Sequence, residues 1–161
     1  MSEKIALIGA GAMGGAIGTR LLETGNTLWV FDLDTARVEE LVAKGAVAAA
    51  SAAEASRAAD FVITRLNAAH IVGLAAFGEN GIADGARPGT VIIDMSSIDP
   101  DATREFAQKA AEKGLAWVDS PLSGGAPKVR LAATHTNALS IVPIDVLQEH
   151  AADKSADKGD T

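Results

Sequence analysis

The sequence predicts an α/β domain built as a doubly wound, mostly parallel sheet with helices on both faces, three layers α/β/α. Two observations carry this. Short apolar runs, "KIALIG", "TLWVFD", "DFVITRL", "TVIIDMS" and "LAWVDS", alternate with longer alanine-rich segments of helical length. Those runs are apolar almost throughout rather than at every second residue, as a strand covered on both faces requires. Glycine marks the extent of the pattern: 15 of 16 glycines fall at or before Gly125, and the alternation ends there. The expected organisation is therefore a domain over 1–125 followed by a divergent tail over 126–161, whose last ten residues, "ADKSADKGDT", have a disordered composition.

Each helical segment has its own start or stop. Gly25 and Asn26 end the first. Asp34 or Thr35 caps the second, since short polar side chains accept from the free N–H groups of a first helical turn. "SAAE" has the capping-box spacing, with Ser51 as the cap and Glu54 reaching back. "DPDATREFAQKAAEKG" opens with Asp99 as cap, places Pro100 at the first helical position and stops at Gly114. His70 falls near the start of a further helix and reads as a helix-surface or structural residue.

Composition narrows the function. A chain of 161 residues with 48% hydrophobic and 22% charged residues is one domain with a sizeable core. Its formal net charge of −7 argues against nucleic acid and anionic membrane as partners, because both need clustered Lys and Arg. There is no cysteine, so thiol chemistry and disulfides are excluded, and three scattered His make no metal site. The apolar segment after Lys4 is broken by glycines, and no run of about 20 apolar residues follows, so neither a targeting segment nor a membrane span is expected. A small-molecule site in the cytoplasm is the expectation.

"GAGAMG" puts Gly9, Gly11 and Gly14 in G-x-G-x-x-G spacing, directly after a strand and opening a helix. In that context Gly9 permits the tight turn, Gly11 lets the backbone approach a pyrophosphate, and Gly14 lets helix and strand pack closely, with the phosphates on free helix N–H groups. A plain strand-to-helix turn also uses glycine. A third element separates the two readings: Asp32 ends the second strand, where a carboxylate accepts from the ribose hydroxyls of a dinucleotide in a Rossmann-type domain. A 2′-phosphate beside Asp32 would meet like charge of about 4 kcal/mol per unit pair at contact with an effective dielectric of 20. The following residue, Leu33, offers no guanidinium, and Arg37 lies in the next helix. NAD is therefore favoured over NADP, with NADP still open.

Three ordered stretches resemble the β-hydroxyacid dehydrogenase family, which includes 3-hydroxyisobutyrate dehydrogenase, tartronate semialdehyde reductase and the cofactor domain of 6-phosphogluconate dehydrogenase. "IGAGAMGGAIGTRLLETG" is similar to its opening, "DMSSIDPDATREFA" to its strand, Ser/Thr pair and helix, and "VDSPLSGG" to its substrate turn. The resemblance implies that Gly9, Gly11, Ala12, Met13 and Gly14 line the pyrophosphate and that Asp32 meets the ribose. It places Leu66 and Asn67 at the adenine side or the nicotinamide ribose, and Ser96 or Ser97 near the nicotinamide ring. Ser123, Gly124 and Gly125 would bind the substrate carboxylate or hydroxyl; consecutive N–H groups after a strand suit an anion in any case. That turn suits an acid better than the imine taken by the related imine reductases. "LNAAH" resembles the branch acting on sugar acids, with Asn67 in place, whereas Arg65 stands where the family is usually apolar.

After "SGGAP" the chain departs from the family pattern. The family's assisting lysine belongs to a second, helical domain, and neither Lys109 nor Lys128 has its motif context, so no catalytic residue is assigned here. The expectation is a truncated cofactor domain, inactive alone, that acts on a small hydroxy acid when a second domain completes it. Two other readings are a non-catalytic NAD-binding module and a ligand-free remnant or interaction protein. Surface that the helical domain covers in the family would favour a homo-oligomer.

Overall fold

The computed structural model describes residues 2–121; the substrate-turn residues Ser123, Gly124 and Gly125 and the tail over 126–161 lie outside them. Five of the six strands among the described residues are the apolar runs expected: β1 (Lys4–Ile8), β2 (Thr27–Phe31), β4 (Phe61–Thr64), β5 (Val91–Asp94) and β6 (Ala116–Asp119). The sixth, β3 (Val47–Ala48), has two exposed residues. It lies in "GAVAAA", which has no β-branched run, and it is a strand only because β2 pairs with it through Trp29↔Val47 and Val30↔Ala48.

All pairs are parallel, in the order β3-β2-β1-β4-β5-β6. The chain winds outward from β1 to β3, then returns to the other side of β1 to lay down β4, β5 and β6. The direction of winding reverses between β1 and β4, and beyond the carboxyl ends of strands at such a reversal a doubly wound sheet leaves its ligand crevice.

Two apolar clusters sandwich the sheet. On one face Ile5, Leu7, Leu28, Val30, Ile63 and Ile93 pack with α1 (Ala12–Glu23) and α2 (Thr35–Val42). On the other Ala6, Ile8, Val62 and Ile92 pack with α3 (Ala52–Ser56), α4 (Ala69–Phe77), α5 (Ile82–Gly85) and α6 (Pro100–Glu112). Burial on both sides explains why these strands lack polar alternation.

The caps agree with the sequence. Asp34 accepts from Ala36 N, Ser51 from Glu54 N and Asp99 from Asp101 N. Glu54 reaches back one residue further than a capping box specifies, to Ala50 N. His70 is exposed on α4.

Two glycines test different physics. A Cβ on Gly14 would lie 1.9 Å from the Gly9 carbonyl oxygen, whereas Gly25, at φ +83°, has nothing within 4 Å of its Cβ position. Gly14→Ala is expected to destabilise by about 3 kcal/mol or more through overlap with fixed backbone. Gly25→Ala should cost only about 1–2 kcal/mol, the strain of a left-handed backbone. Urea denaturation of both variants checks the ordering.

Candidate functional site

The glycine turn closes β1 and starts α1. Gly9 has φ +98°, and a Cβ there would stand 2.3 Å from the Arg65 carbonyl oxygen, so the turn fits only with glycine. Gly14 is held against the same turn by the contact described above. Gly11 is different: its backbone is extended (φ −63°, ψ −166°), and within 4 Å of its Cβ position lies only the Arg37 Nη1. Space above Gly11 is thus limited by the end of a flexible side chain. Gly11 is also the N-cap of α1 and supplies no side-chain cap, so first-turn N–H groups face outward without a partner from that residue. Ala12 is exposed and Met13 half-buried at this end of the helix.

Asp32, one residue past β2, reaches across to this turn. Its Oδ2 accepts from Ala10 N at 2.6 Å and its Oδ1 from Asp34 N at 2.8 Å. The carboxylate joins the ends of β1 and β2, and each oxygen keeps further acceptor capacity. Leu33 beside it is 91% exposed. Arg37 forms an ion pair with Asp34 at 3.3 Å while its guanidinium leans toward Gly11. In the sequence Arg37 belongs merely to the next helix; its position one turn into α2 is what aims it back at the glycine turn.

A second set of hydrogen bonds joins the ends of β4 and β5. Asp94 is fully buried, and its Oδ1 accepts from Thr64 Oγ1 at 2.8 Å and from Ser96 N at 3.0 Å. Ser96 is 1% exposed, and its Oγ accepts from Leu66 N at 2.9 Å. Ser97 is exposed, so the two serines differ in kind: one hydroxyl holds the loop after β4 and the other faces outward. Leu66 is half-buried and Asn67 exposed. Nothing in the motif "DMSS" signals this division, which depends on which strand end lies opposite.

Asp119 pairs in register with Asp94 at the end of β6. Burial first, and then the negative charge of Asp94, raise its pKa above the ordinary aspartate value. Among the described residues no group of three or more His, Cys, Asp or Glu side chains is placed to hold a metal ion, and no helix is long and apolar enough to cross a membrane.

A parallel doubly wound sheet, a turn with glycine at the three close-approach positions and an acidic residue just past the second strand together define a dinucleotide-binding domain. The sequence profile of the NAD binding domain of 6-phosphogluconate dehydrogenase matches residues 4–137, running past residue 125. The chain belongs to this family, and it is similar to the N-terminal, NAD(P)-binding domains of β-hydroxyacid dehydrogenases. It is 44% identical over 124 residues to the NAD-dependent L-serine dehydrogenase of Pseudomonas aeruginosa, covering 76% of this chain and 41% of that one. The solved structure of Mycobacterium tuberculosis 3-hydroxyisobutyrate dehydrogenase with L-serine superposes with a TM-score of 0.76 at 32% identity, over 82% of this chain and 44% of that one. Psf3 in complex with NADP+ and 2-OPP superposes with a TM-score of 0.75 at 25% identity, over 80% and 45%. The chain thus spans less than half the length of these relatives.

The raised pKa of Asp119 fixes a sign. A carboxyl whose folded pKa is raised favours folding when protonated, so its contribution is present at low pH and is lost as pH rises through the folded value. Asp119→Asn is expected to raise stability at pH 7, by at most a few tenths of a kcal/mol because solvent screens this site. The gain should vanish below about pH 3, where the carboxyl is neutral in both states. Thermal melting of variant and wild type at the two pH values measures it.

Proposed function

We propose that this domain binds NAD in preference to NADP, and that it supplies the cofactor half of an oxidoreductase acting on a small hydroxy acid. The observation that carries the reading is the Asp32 carboxylate, fixed to the glycine turn through Ala10 N and retaining acceptor capacity on both oxygens. A dinucleotide laid across the turn would meet Gly9, Gly11, Ala12, Met13 and Gly14 with its pyrophosphate and Asp32 with its adenosine ribose. The residues fit that group: Gly9, Gly11 and Gly14 carry no Cβ to exclude it, and α1 presents an uncapped first turn.

The preference for NAD rests on charge. A 2′-phosphate would stand beside a carboxylate, and the nearby guanidinium of Arg37 is already paired with Asp34. The NADP+ held by Psf3 is the alternative within related folds.

Toward the other end of the crevice, Leu66 and Asn67 would border the nicotinamide ribose, and Ser97, with its exposed hydroxyl, is the serine available to the nicotinamide. Ser96 would act through Leu66 by keeping the β4 loop in place. A nicotinamide held there would supply a hydride acceptor for the carbon bearing the substrate hydroxyl. Ser123, Gly124 and Gly125 would orient the acid by hydrogen bonds to its carboxylate, and the proton acceptor for the hydroxyl would come from a second, helical domain.

Calorimetric titration with NADH and NADPH tests the reading. Saturable binding with NADH preferred is expected; preference for NADPH overturns the assignment of Asp32, and no binding of either overturns the cofactor reading. Asp32→Asn keeps a side-chain acceptor of the same size but removes the charge. It should weaken NADH about ten- to a hundredfold, the range for a lost charged hydrogen bond, and narrow the gap between the two cofactors. A melting curve of the same variant separates lost affinity from a loosened turn.

A further inference from the structure

Arg65 follows the last residue of β4. By strand alternation it lies on the face of Ile63, the face that α1 covers. Its carbonyl abuts Gly9, so its backbone forms one wall of the glycine turn. The side chain is half-buried, with Nε fully enclosed and without a hydrogen-bond partner. Its one bond is a long one, from Nη1 to the Leu66 carbonyl at 3.3 Å.

Among the described residues the other half-buried or crevice arginines are paired: Arg20 with Glu23 and Arg37 with Asp34, while Arg87 and Arg104 hold Asp60 and Asp101 on the surface. Arg65 has no carboxylate within ion-pair distance among those residues. A guanidinium has five donors and cannot lose its charge, so one that is partly removed from water calls for an anion.

The sheet order says which anion. Asp32 lies past β2, the glycine turn past β1, and Arg65 past β4, three adjacent strands in the order β2-β1-β4. A dinucleotide with its adenosine ribose on Asp32 and its pyrophosphate on the turn would extend its other half over β4. We propose that Arg65 is a cofactor-binding residue, whose guanidinium holds the phosphate on the nicotinamide side of the dinucleotide. The assignment rests on the cofactor reading above. It supplies positive charge on the side of the turn opposite Arg37, so that the diphosphate is flanked by a cation on each side.

Titration of Arg65→Met and Arg65→Lys with NADH, together with AMP as a displacing fragment that lacks the nicotinamide-side phosphate, tests it. Arg65→Met is expected to weaken NADH about ten- to a hundredfold and leave AMP affinity within about twofold of wild type. Arg65→Lys should recover part of the NADH loss, because charge returns without the planar fork. Melting without ligand should show Arg65→Met no less stable than wild type, since a half-buried, unpaired cation is replaced by an apolar side chain. Unchanged NADH affinity in Arg65→Met overturns the proposal, as does an equal loss of NADH and AMP accompanied by lower stability, which marks a structural role. Loss of 3-hydroxyisobutyrate binding with NADH affinity intact would assign Arg65 to a substrate carboxylate instead and also overturn it. Wild-type protein that binds neither NADH nor AMP fails the cofactor reading itself, a result separable from failure of the variant alone.

Discussion

The close approach of Gly14 to the Gly9 carbonyl is the constraint from which the crevice follows. It lets the first turn of α1 sit directly on the end of β1, and so brings helix N–H groups to the point where the sheet reverses its winding. A side chain at Gly14 would push helix and strand apart, and one at Gly9 would push the turn away from Arg65. Once the helix start is placed there, Gly9 must take its left-handed backbone and lie against Arg65, which fixes β4 relative to the same turn.

The strand ends are then joined in two pairs by side chains. Asp32 links β2 to the β1 turn, and Asp94 with Ser96 links β5 to the loop after β4. Both devices use a carboxylate to accept backbone or hydroxyl protons, a strong form of neutral-donor hydrogen bond. They differ in exposure: Asp94 is sealed, and Asp32 stays half-open. That difference separates a carboxylate closed off within the fold from one that a ligand can reach. The sealed carboxylate also acts outward, since its charge, with burial, raises the proton affinity of Asp119.

The crevice has basic as well as acidic residues around it, although the chain as a whole is acidic. A net −7 describes the whole molecule, yet Arg37 leans toward the glycine turn and Arg65 forms part of its wall. Local geometry, and not overall charge, sets what the site attracts, because solvent screens charges more than about 8 to 10 Å apart at physiological salt.

The sequence by itself determined the parallel doubly wound class, five of the six described strands, the helix caps at Ser51 and Asp99, and the glycine turn with Asp32, while it left the second cap to Asp34 or Thr35. These are local: a run covered on both faces, a capping side chain or a turn with special backbone angles is recorded in consecutive residues. Tertiary structure alone decided that Val47–Ala48 is a strand, that Ser96 is enclosed while Ser97 is open, that Arg37 leans over Gly11, and that Arg65 has no carboxylate near it among the described residues. Each depends on neighbours 18 or more residues away in the chain. Such contacts are set by how strands are ordered in the sheet, and no local pattern of residue types encodes that order.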